Sequence, residues 1–559
     1  MAFEALLRWW NDARVVALDD DLIVVDKPSG IAVHGGDERL GDDVVTRLSR
    51  WLRERGEHDY LGVHQRLDKD ASGVLFFTRR RGMNAEIARI MEGHSARRVY
   101  IAAVSDVGLR AEGVFEQRLS HEKGGRTRVV QRGGQHARAR YRVLGRKAGR
   151  ALVELEPETG RTHQLRVQLS HGGAPIAGDR LYGGASAPRL MLHARCIDVA
   201  GRHFEAALPE ELEAWFEGRP PALEPRARLL DAGVRRAPLS ASDAYRLAND
   251  AGDLMPGVVV DRYGDFAVLS ISDEGAYARR QEIAGLLVEL GARGVYLKLR
   301  VRADLRRQHA GELAPAEPIA GEAAPGPLAV HEGSLHFHVE LGDGLSTGLF
   351  VDQRDNRARV RELSSKRMLN LFSYTCSFSV AAAMGGAHTT SVDLSGRALE
   401  RGRDNFALNG LDPAAHRFDK DDVIEWLRRA RRRRERYDLV VLDPPSFGTR
   451  GKRSTFSVDK GYAAVARDVL SLLEPGGRLL AVTHHAKTSQ NALRRMLHSA
   501  AREAGVELRQ LKDLPSGLDC PDGPDGPSPS HSVLATVAVG RAPRKAPSGG
   551  PGRAGRKKK

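Results

Sequence analysis

Three features of the 559-residue sequence predict a multidomain chain: an α+β front half on a mixed or antiparallel sheet, a small α+β middle, and an α/β, Rossmann-like back half. Short apolar runs cut by turns fill the chain up to about residue 218. Pro- and Gly-rich stretches then interrupt it. From about residue 335, strand-like and helix-like segments alternate, as in βα units around a parallel sheet. With 41% apolar and 28% charged residues, a fibrous or wholly disordered chain is excluded.

The front segment, residues 1–218, opens with the apolar runs Val15–Leu18 and Leu22–Val25 around Asp19–Asp21, which read as a β-hairpin. Within the basic stretch Lys123–Arg150, Arg138, Arg140 and Arg142 alternate with Ala139, Tyr141 and Val143. That period of two predicts a strand with a row of guanidinium groups on one face. Residues 219–238 hold four prolines and read as a linker. The middle segment, 239–334, carries strands Val258–Val260 and Ala267–Ile271 around a turn, then the helical pattern Arg280–Leu290. Residues 311–327, made of Ala, Pro, Gly and Glu, read as a flexible connector.

The back segment, 335–541, reads strand Met368–Phe372, helix Ser377–Met384, strand Thr389–Asp393, helix Arg397–Leu408 and helix Asp422–Arg429. Strand Tyr437–Asp443, helix Tyr462–Leu473 and strand Arg478–Thr483 follow. Ligands in such sheets sit beyond the carboxyl ends of the strands. Residues 542–559 read as a disordered basic tail; from Arg541 onward there are eight Lys or Arg and no acid. The tail supplies 8 of the net +15, leaving about +7 on the body, a balance that suits a polyanion such as RNA. Cys196, Cys376 and Cys520 stand far apart, so neither a disulfide framework nor a metal site is expected. No apolar run approaches the ~20 residues of a membrane helix. The expectation is a cytoplasmic chain with no membrane partner.

Two constellations carry chemistry. In His64-Gln65-Arg66-Leu67-Asp68-Lys69-Asp70-Ala71-Ser72-Gly73, a carboxylate lies between cations just before an apolar strand. Such a carboxylate is held ionised and serves as a nucleophile or base without metal. The run resembles the signature of the RluA-type pseudouridine synthases. Asp26-Lys27-Pro28-Ser29-Gly30, Arg98-Val99-Tyr100, Gly160-Arg161-Thr162-His163-Gln164-Leu165-Arg166, Ile176–Asp179 and Leu192-His193-Ala194 are similar to further motifs of that family, in order. The resemblance implies isomerisation of uridine in RNA without a cofactor. Asp68 would attack C1′ or remove the 2′ proton, Tyr100 would stack on the uracil, Arg166 would pair with Asp68, and Arg66 would fill the place vacated by the flipped nucleotide. The sequence departs from the pattern at Gln65, which intervenes between His and Arg, and at Ala71, where Thr is common.

The second constellation lies in the βα region. Asn370–Thr375 forms the first strand-to-helix turn, Asp393 ends the next strand, and Asp443-Pro444-Pro445-Ser446-Phe447 follows a later one. An acid at the end of the second strand suits ribose hydroxyls. No GxGxxG is present. With Leu349–Arg354, Ser391–Ser395, Asn405–Gly410 and Pro256–Asp265, these residues resemble class I methyltransferases that use S-adenosyl-L-methionine, and among them the large-subunit rRNA enzymes K/L and I. The resemblance implies that Phe372, Ser373 and Tyr374 line the methionine side, Asp393 binds the ribose, and Asp422 faces the adenine. Asp443, beside both cofactor and acceptor, would hold the base with Pro445 and Phe447.

Enzyme I methylates cytosine at C5, which requires a thiolate adduct at C6. At the matching place this sequence reads Thr483-His484-His485-Ala486-Lys487, with no Cys. Guanosine N7, which needs positioning rather than activation, is therefore the expected acceptor. Cytosine C5 and a non-catalytic RNA-binding assembly factor are the alternatives. The expected partner is 23S rRNA, with tRNA as a second RNA.

Overall fold

A computed structural model describes residues 3–35, 42–93, 96–106, 108–122, 125–300, 310–363, 365–445, 447–450, 454–485, 487–523 and 530–539. The expected basic tail, 542–559, lies outside the described residues. By internal contacts the chain divides into two compact units: Met1–Arg354 with Ser516–Ser528, and Asp355–Pro515 with Pro529–Lys559.

The first unit holds two larger sheets. The front sheet has eleven strands among the described residues. Nine of them run from edge to edge: Val15–Leu18, Leu22–Lys27, Ser72–Thr78, Leu192–Val199, Arg97–Ser105, Arg150–Pro157, Gln135–Lys147, Glu112–His121 and Thr127–Val130; Arg202–Glu205 pairs beside Leu192–Val199 and Gly62–Val63 beside Ser72–Thr78. It is antiparallel except where Leu192–Val199 pairs parallel with Ser72–Thr78, so it is the mixed sheet expected. The opening hairpin forms as read: Asp19 Oδ1 accepts from Asp21 N and Leu22 N, both at 2.9 Å, which closes the turn. The second sheet, Ala244–Asn249, Val258–Tyr263, Phe266–Ile271, Gly294–Leu299 and Ala320–Gly321, buries a core that also takes in Phe3 and Leu6 from the amino terminus.

Two expected spacers are ordered elements. Within 219–238 the chain forms helix Pro225–Arg236, because Pro225 stands at its first turn, where no N–H partner is lost. The helix is pinned on both sides. Asp231 accepts from Arg14 at 2.7 and 2.6 Å, and Arg236 donates to Asp253 at 2.7 and 2.5 Å. A Cβ on Gly233 would stand 2.3 Å from Leu6 O, so only glycine permits this approach. Within 311–327, Ala320–Gly321 pairs with Gly294–Val295 and adds a short edge strand to the middle sheet. Segment 516–523, read as part of the back domain, joins the first unit through Asp519, which takes both Arg354 guanidinium nitrogens at 2.6 and 2.9 Å.

The second unit is the doubly wound sheet the βα pattern predicts. Its order is Arg417–Lys420, His388–Asp393, Arg367–Leu371, Tyr437–Leu442, Leu473–Thr483, His531–Val537 and Leu508–Leu514. The first five strands are parallel and the last two pairings are antiparallel. The helix expected to end at Leu473 spans Val458–Leu470, and Leu473 already begins the next strand. Side chains at the amino ends, such as Ser395 accepting from Ala398 N, start the crossover helices. The strand order reverses between His388–Asp393 and Tyr437–Leu442, so the turns after these strands and Arg367–Leu371 share one end of the sheet. No helix among the described residues is long and apolar enough to cross a membrane.

Candidate active sites

The front site is built on a loop. Leu67 is buried beneath it, Arg66 points outward, and Asp68 is half-buried between them. Arg166, on helix Gln164–His171, reaches Asp68 Oδ2 with Nη1 at 3.2 Å. Its Nε and Nη2 are held by Asp179 at 2.7 and 2.9 Å. Asp179, fully buried, also accepts from Leu181 N and Tyr182 N, so the fork that aims Arg166 is itself fixed by backbone. Burial works against the Arg166 charge. The hydrogen bonds and charges of Asp179 and Asp68 outweigh it and hold the guanidinium above its ordinary pKa.

Tyr100 sits in strand Arg97–Ser105, opposite Ala194 and Leu155. Burial pushes its phenol up; Arg98 opposes this and the Asp68 carboxylate adds to it, so the ring shares the field of Asp68. The structure thus pairs Asp68 with Arg166 and sets Tyr100 within the electrostatic reach of Asp68. Arg66 is exposed, and no ion pair holds it among the described residues.

Neighbours that received no role from the sequence fix this loop. Lys27, with no exposed surface, donates to Pro28 O at 3.0 Å and to Ile31 O and Lys69 O at 2.9 Å. It ties the residue after Asp68 to the opening hairpin, and Gly30 N adds a second tie to Lys69 O. Burial pushes Lys27 down to about 7, although three carbonyls use all three ammonium protons. At Gly73, φ is +112° and a Cβ would meet Ala194 O at 2.2 Å, so the Ser-Gly of the signature lets the strand close on its parallel partner. Ser72 Oγ lies 2.9 Å from His193 Nδ1, and burial drives that imidazole down to about 3, which keeps it neutral. The motifs containing Lys27, Asp179 and His193 signalled these residues, but only packing shows what each one holds.

The arginine row is a strand, Gln135–Lys147, but its guanidinium groups are paired. Arg138 and Arg140 meet Glu158, and Arg142 meets Glu154 at 2.9 Å.

In the back site, Phe372, Ser373 and Tyr374 follow strand Arg367–Leu371. Phe372, Tyr374 and Cys376 all adopt left-handed φ, at 57°, 46° and 62°. Three such non-glycine residues in one turn mark stored strain, which clusters at ligand sites. The turn is held by Ser373 N on Val392 O at 3.0 Å, Asn405 Nδ2 on Thr375 O at 3.0 Å, and Tyr374 N on Asp393 Oδ2 at 2.9 Å. Asp393 Oδ1 accepts from Ser395 N at 2.8 Å. Each oxygen of a carboxylate has a further lone pair, so Asp393 remains able to accept two ribose hydroxyls. Asp422 caps helix Val423–Arg432 through Oδ1, at 3.0 and 3.1 Å from Ile424 N and Glu425 N. Asp421 pairs with Arg429.

Asp443 leaves the end of strand Tyr437–Leu442, with Pro444 buried and Pro445 exposed after it. The backbone of Phe447 lies in strand Phe447–Arg450, while its side chain lies outside the described residues. His484 Nε2 stands 3.2 Å from Asp443 Oδ1, and His485 Nδ1 lies 2.9 Å from Thr488 Oγ1. Among the described residues no group of three His, Cys, Asp or Glu is arranged to hold a metal.

An ion-paired loop aspartate on a mixed sheet, followed by a strained turn and a strand-end acid on a doubly wound sheet, defines an RluA-type pseudouridine synthase domain fused to a class I methyltransferase domain. Family models agree. The RNA pseudouridylate synthase model matches residues 21–171, and the S-adenosylmethionine-dependent methyltransferase model matches residues 291–526. The chain is 35% identical over 301 residues to ribosomal RNA large subunit methyltransferase I of Klebsiella pneumoniae strain 342, covering 53% of this chain and 72% of that protein. A putative methyltransferase solved with SAH is 32% identical, with a TM-score of 0.50, covering 56% of this chain and 81% of that one. A putative SAM-dependent methyltransferase from Streptococcus mutans is 30% identical, with a TM-score of 0.50, covering 60% and 85%. The chain belongs to the ribosomal RNA large subunit methyltransferase I family and carries both a pseudouridine synthase and an S-adenosylmethionine-dependent methyltransferase activity.

Proposed function

We propose that this chain isomerises a uridine with its front head and methylates a base of large-subunit rRNA with its back head. The observation that carries the front assignment is the Asp68–Arg166–Asp179 chain. A carboxylate at 3.2 Å from a guanidinium that is itself locked by a buried acid is positioned before substrate binds. Asp68 attacks C1′ of the flipped uridine or takes its 2′ proton, breaking the N1–C1′ bond. Tyr100 supports the freed uracil while C5 turns toward C1′, and Arg66 fills the vacated stack.

In the back head, S-adenosyl-L-methionine supplies an electrophilic methyl group. Phe372, Ser373 and Tyr374 bind its methionine end, Asp393 its ribose and Asp422 its adenine. Asp443, Pro445 and Phe447 would hold the acceptor base. The relatives named above carry the name of enzyme I, not of K/L, so guanosine N7 is not supported, and the cytosine alternative, methylated at C5 in enzyme I, fits them better.

The test is nucleoside mapping of large-subunit rRNA treated with the full chain, with Asp68→Ala and with Asp443→Ala. Each substitution should remove one modification and spare the other. If both modifications survive in either variant, the site assignment for that head is wrong.

A further inference from the structure

Strands Tyr437–Leu442 and Leu473–Thr483 run parallel and adjacent, with Leu442 opposite Ala481. Their carboxyl ends therefore deliver Asp443 and His484 to one point, with Nε2 3.2 Å from Oδ1. The contact is close but not an aligned hydrogen bond: Oδ1 is buried and lacks a hydrogen-bond donor among the described residues. A buried acceptor in that state is costly, and a ligand N–H relieves it. The imidazole is 31% exposed and the carboxylate 16%, so a base entering the site meets both.

No thiol is placed to form a C6 adduct. Cys376 is fully buried under the cofactor turn, its Sγ 3.8 Å from Ser373 Oγ and 3.7 Å from Tyr374 O, and burial pushes it up to about 12. Cys520 is buried in the other compact unit, and Cys196 lies in the front sheet. Methylation of a ring carbon needs an electron-pair donor at C6 and a base for the C5 proton. Methylation of an exocyclic amine needs only an acceptor for its N–H and a base for one proton. The acceptor and the base are what the two strand ends supply.

We propose that the methyl acceptor is the exocyclic N4 amine of a cytosine, with Asp443 accepting one N–H and His484 serving as the base. The assignment rests on the cytosine reading given above. The N4 lone pair forms the new N–CH3 bond. The S–CH3 bond breaks and its electron pair stays on sulfur. The proton left on the now cationic nitrogen passes to the His484 imidazole, whose Nε2 stands 3.2 Å from Asp443 Oδ1. S-adenosylhomocysteine and neutral N4-methylcytidine remain.

The experiment incubates the full chain with S-adenosylmethionine and large-subunit rRNA from cells that lack the chain, then separates the nucleosides. N4-methylcytidine is expected. His484→Ala and His484→Gln should each lower its rate by about 10²- to 10⁴-fold, the range of a lost general base. Cofactor affinity by calorimetry and pseudouridine formation should stay at the native level, which shows that the variants are folded. Large-subunit rRNA carrying 5-fluorocytidine should form no covalent complex. C5-methylcytidine, or a trapped 5-fluorocytidine adduct, overturns the amine assignment and leaves the cytosine reading standing. A methylated purine, or no methylated cytidine, overturns both. Full activity in both His484 variants removes the histidine from the reaction.

Discussion

The two heads use aspartate in opposite ways. In the front head, Asp68 meets Arg166, and Arg166 is held at two further points by a buried acid. In the back head, Asp393 spends one lone pair per oxygen on backbone N–H groups, and Asp443 Oδ1 lacks a hydrogen-bond donor among the described residues. The difference follows from the chemistry. A carboxylate that reacts must be fixed before substrate arrives, whereas carboxylates that grip ligands must keep acceptor capacity open until the ligand comes.

The largest expected effect breaks the front half of this contrast. Asp68→Asn keeps the shape but removes the charge, and should lower pseudouridine formation by about 10⁴-fold or more, with methyl transfer unchanged. Assaying both products from one incubation decides it; a loss of both would mean that the heads are not independent.

Acid should separate the heads next. Glu211, buried between Arg189 at 2.7 Å and Arg228 at 2.8 Å, is opposed by burial but held down to about 2 by those guanidinium groups. A depressed carboxylate stabilises the fold above its unfolded value of about 4.5, and this contribution is lost as pH falls toward 2. At about 1.4 kcal/mol per pH unit the loss is on the order of 3 kcal/mol. Denaturant melts from pH 5 to 3 should show the first unit weakening, and Glu211→Gln should flatten the slope. An unchanged slope would remove Glu211 as the cause.

Asp393→Ala should weaken cofactor binding about 10- to 100-fold, in line with two lost charge-assisted hydrogen bonds. Calorimetry reads the affinity directly, and pseudouridine formation serves as the control. The smallest effect belongs to the arginine strand. Because Arg140 is paired with Glu158, Arg140→Ala should change the salt slope of RNA binding by less than about one unit. A larger change would show that the pair opens when RNA binds.

Much of the fold and the front site was legible in the sequence. The alternation at Arg138–Val143 marked a strand, and the motifs around Asp68 and Arg166 named two residues that the fold pairs. What stayed hidden depends on distant partners. Glu154 meets Arg142 through the register of the neighbouring strand, and Glu158 meets Arg138 and Arg140 from just beyond that strand's end, which local composition does not reveal. Prolines at 220, 221, 225 and 238 suggested a spacer, yet Pro225 starts a helix. The three-way tie of Lys27 requires three loops to converge, and the two-residue edge strand at Ala320–Gly321 is too short for any periodic signal. In the back half, the missing cysteine was plain, but the closeness of His484 to Asp443 needed the pairing of two strands 40 residues apart.

The helix Pro225–Arg236 changes how this chain can be dissected. Proteins with several activities are often cut at the proline-rich stretch between them, and here that stretch begins at residue 219. A truncation ending at 218 would strip Arg14 of Asp231 and uncover the surface on which Leu6 rests against Gly233. A fragment of the first catalyst that keeps Arg14 on Asp231 and Arg236 on Asp253 extends at least through Asp253, so the isomerase and the start of the middle sheet have to be expressed as one piece.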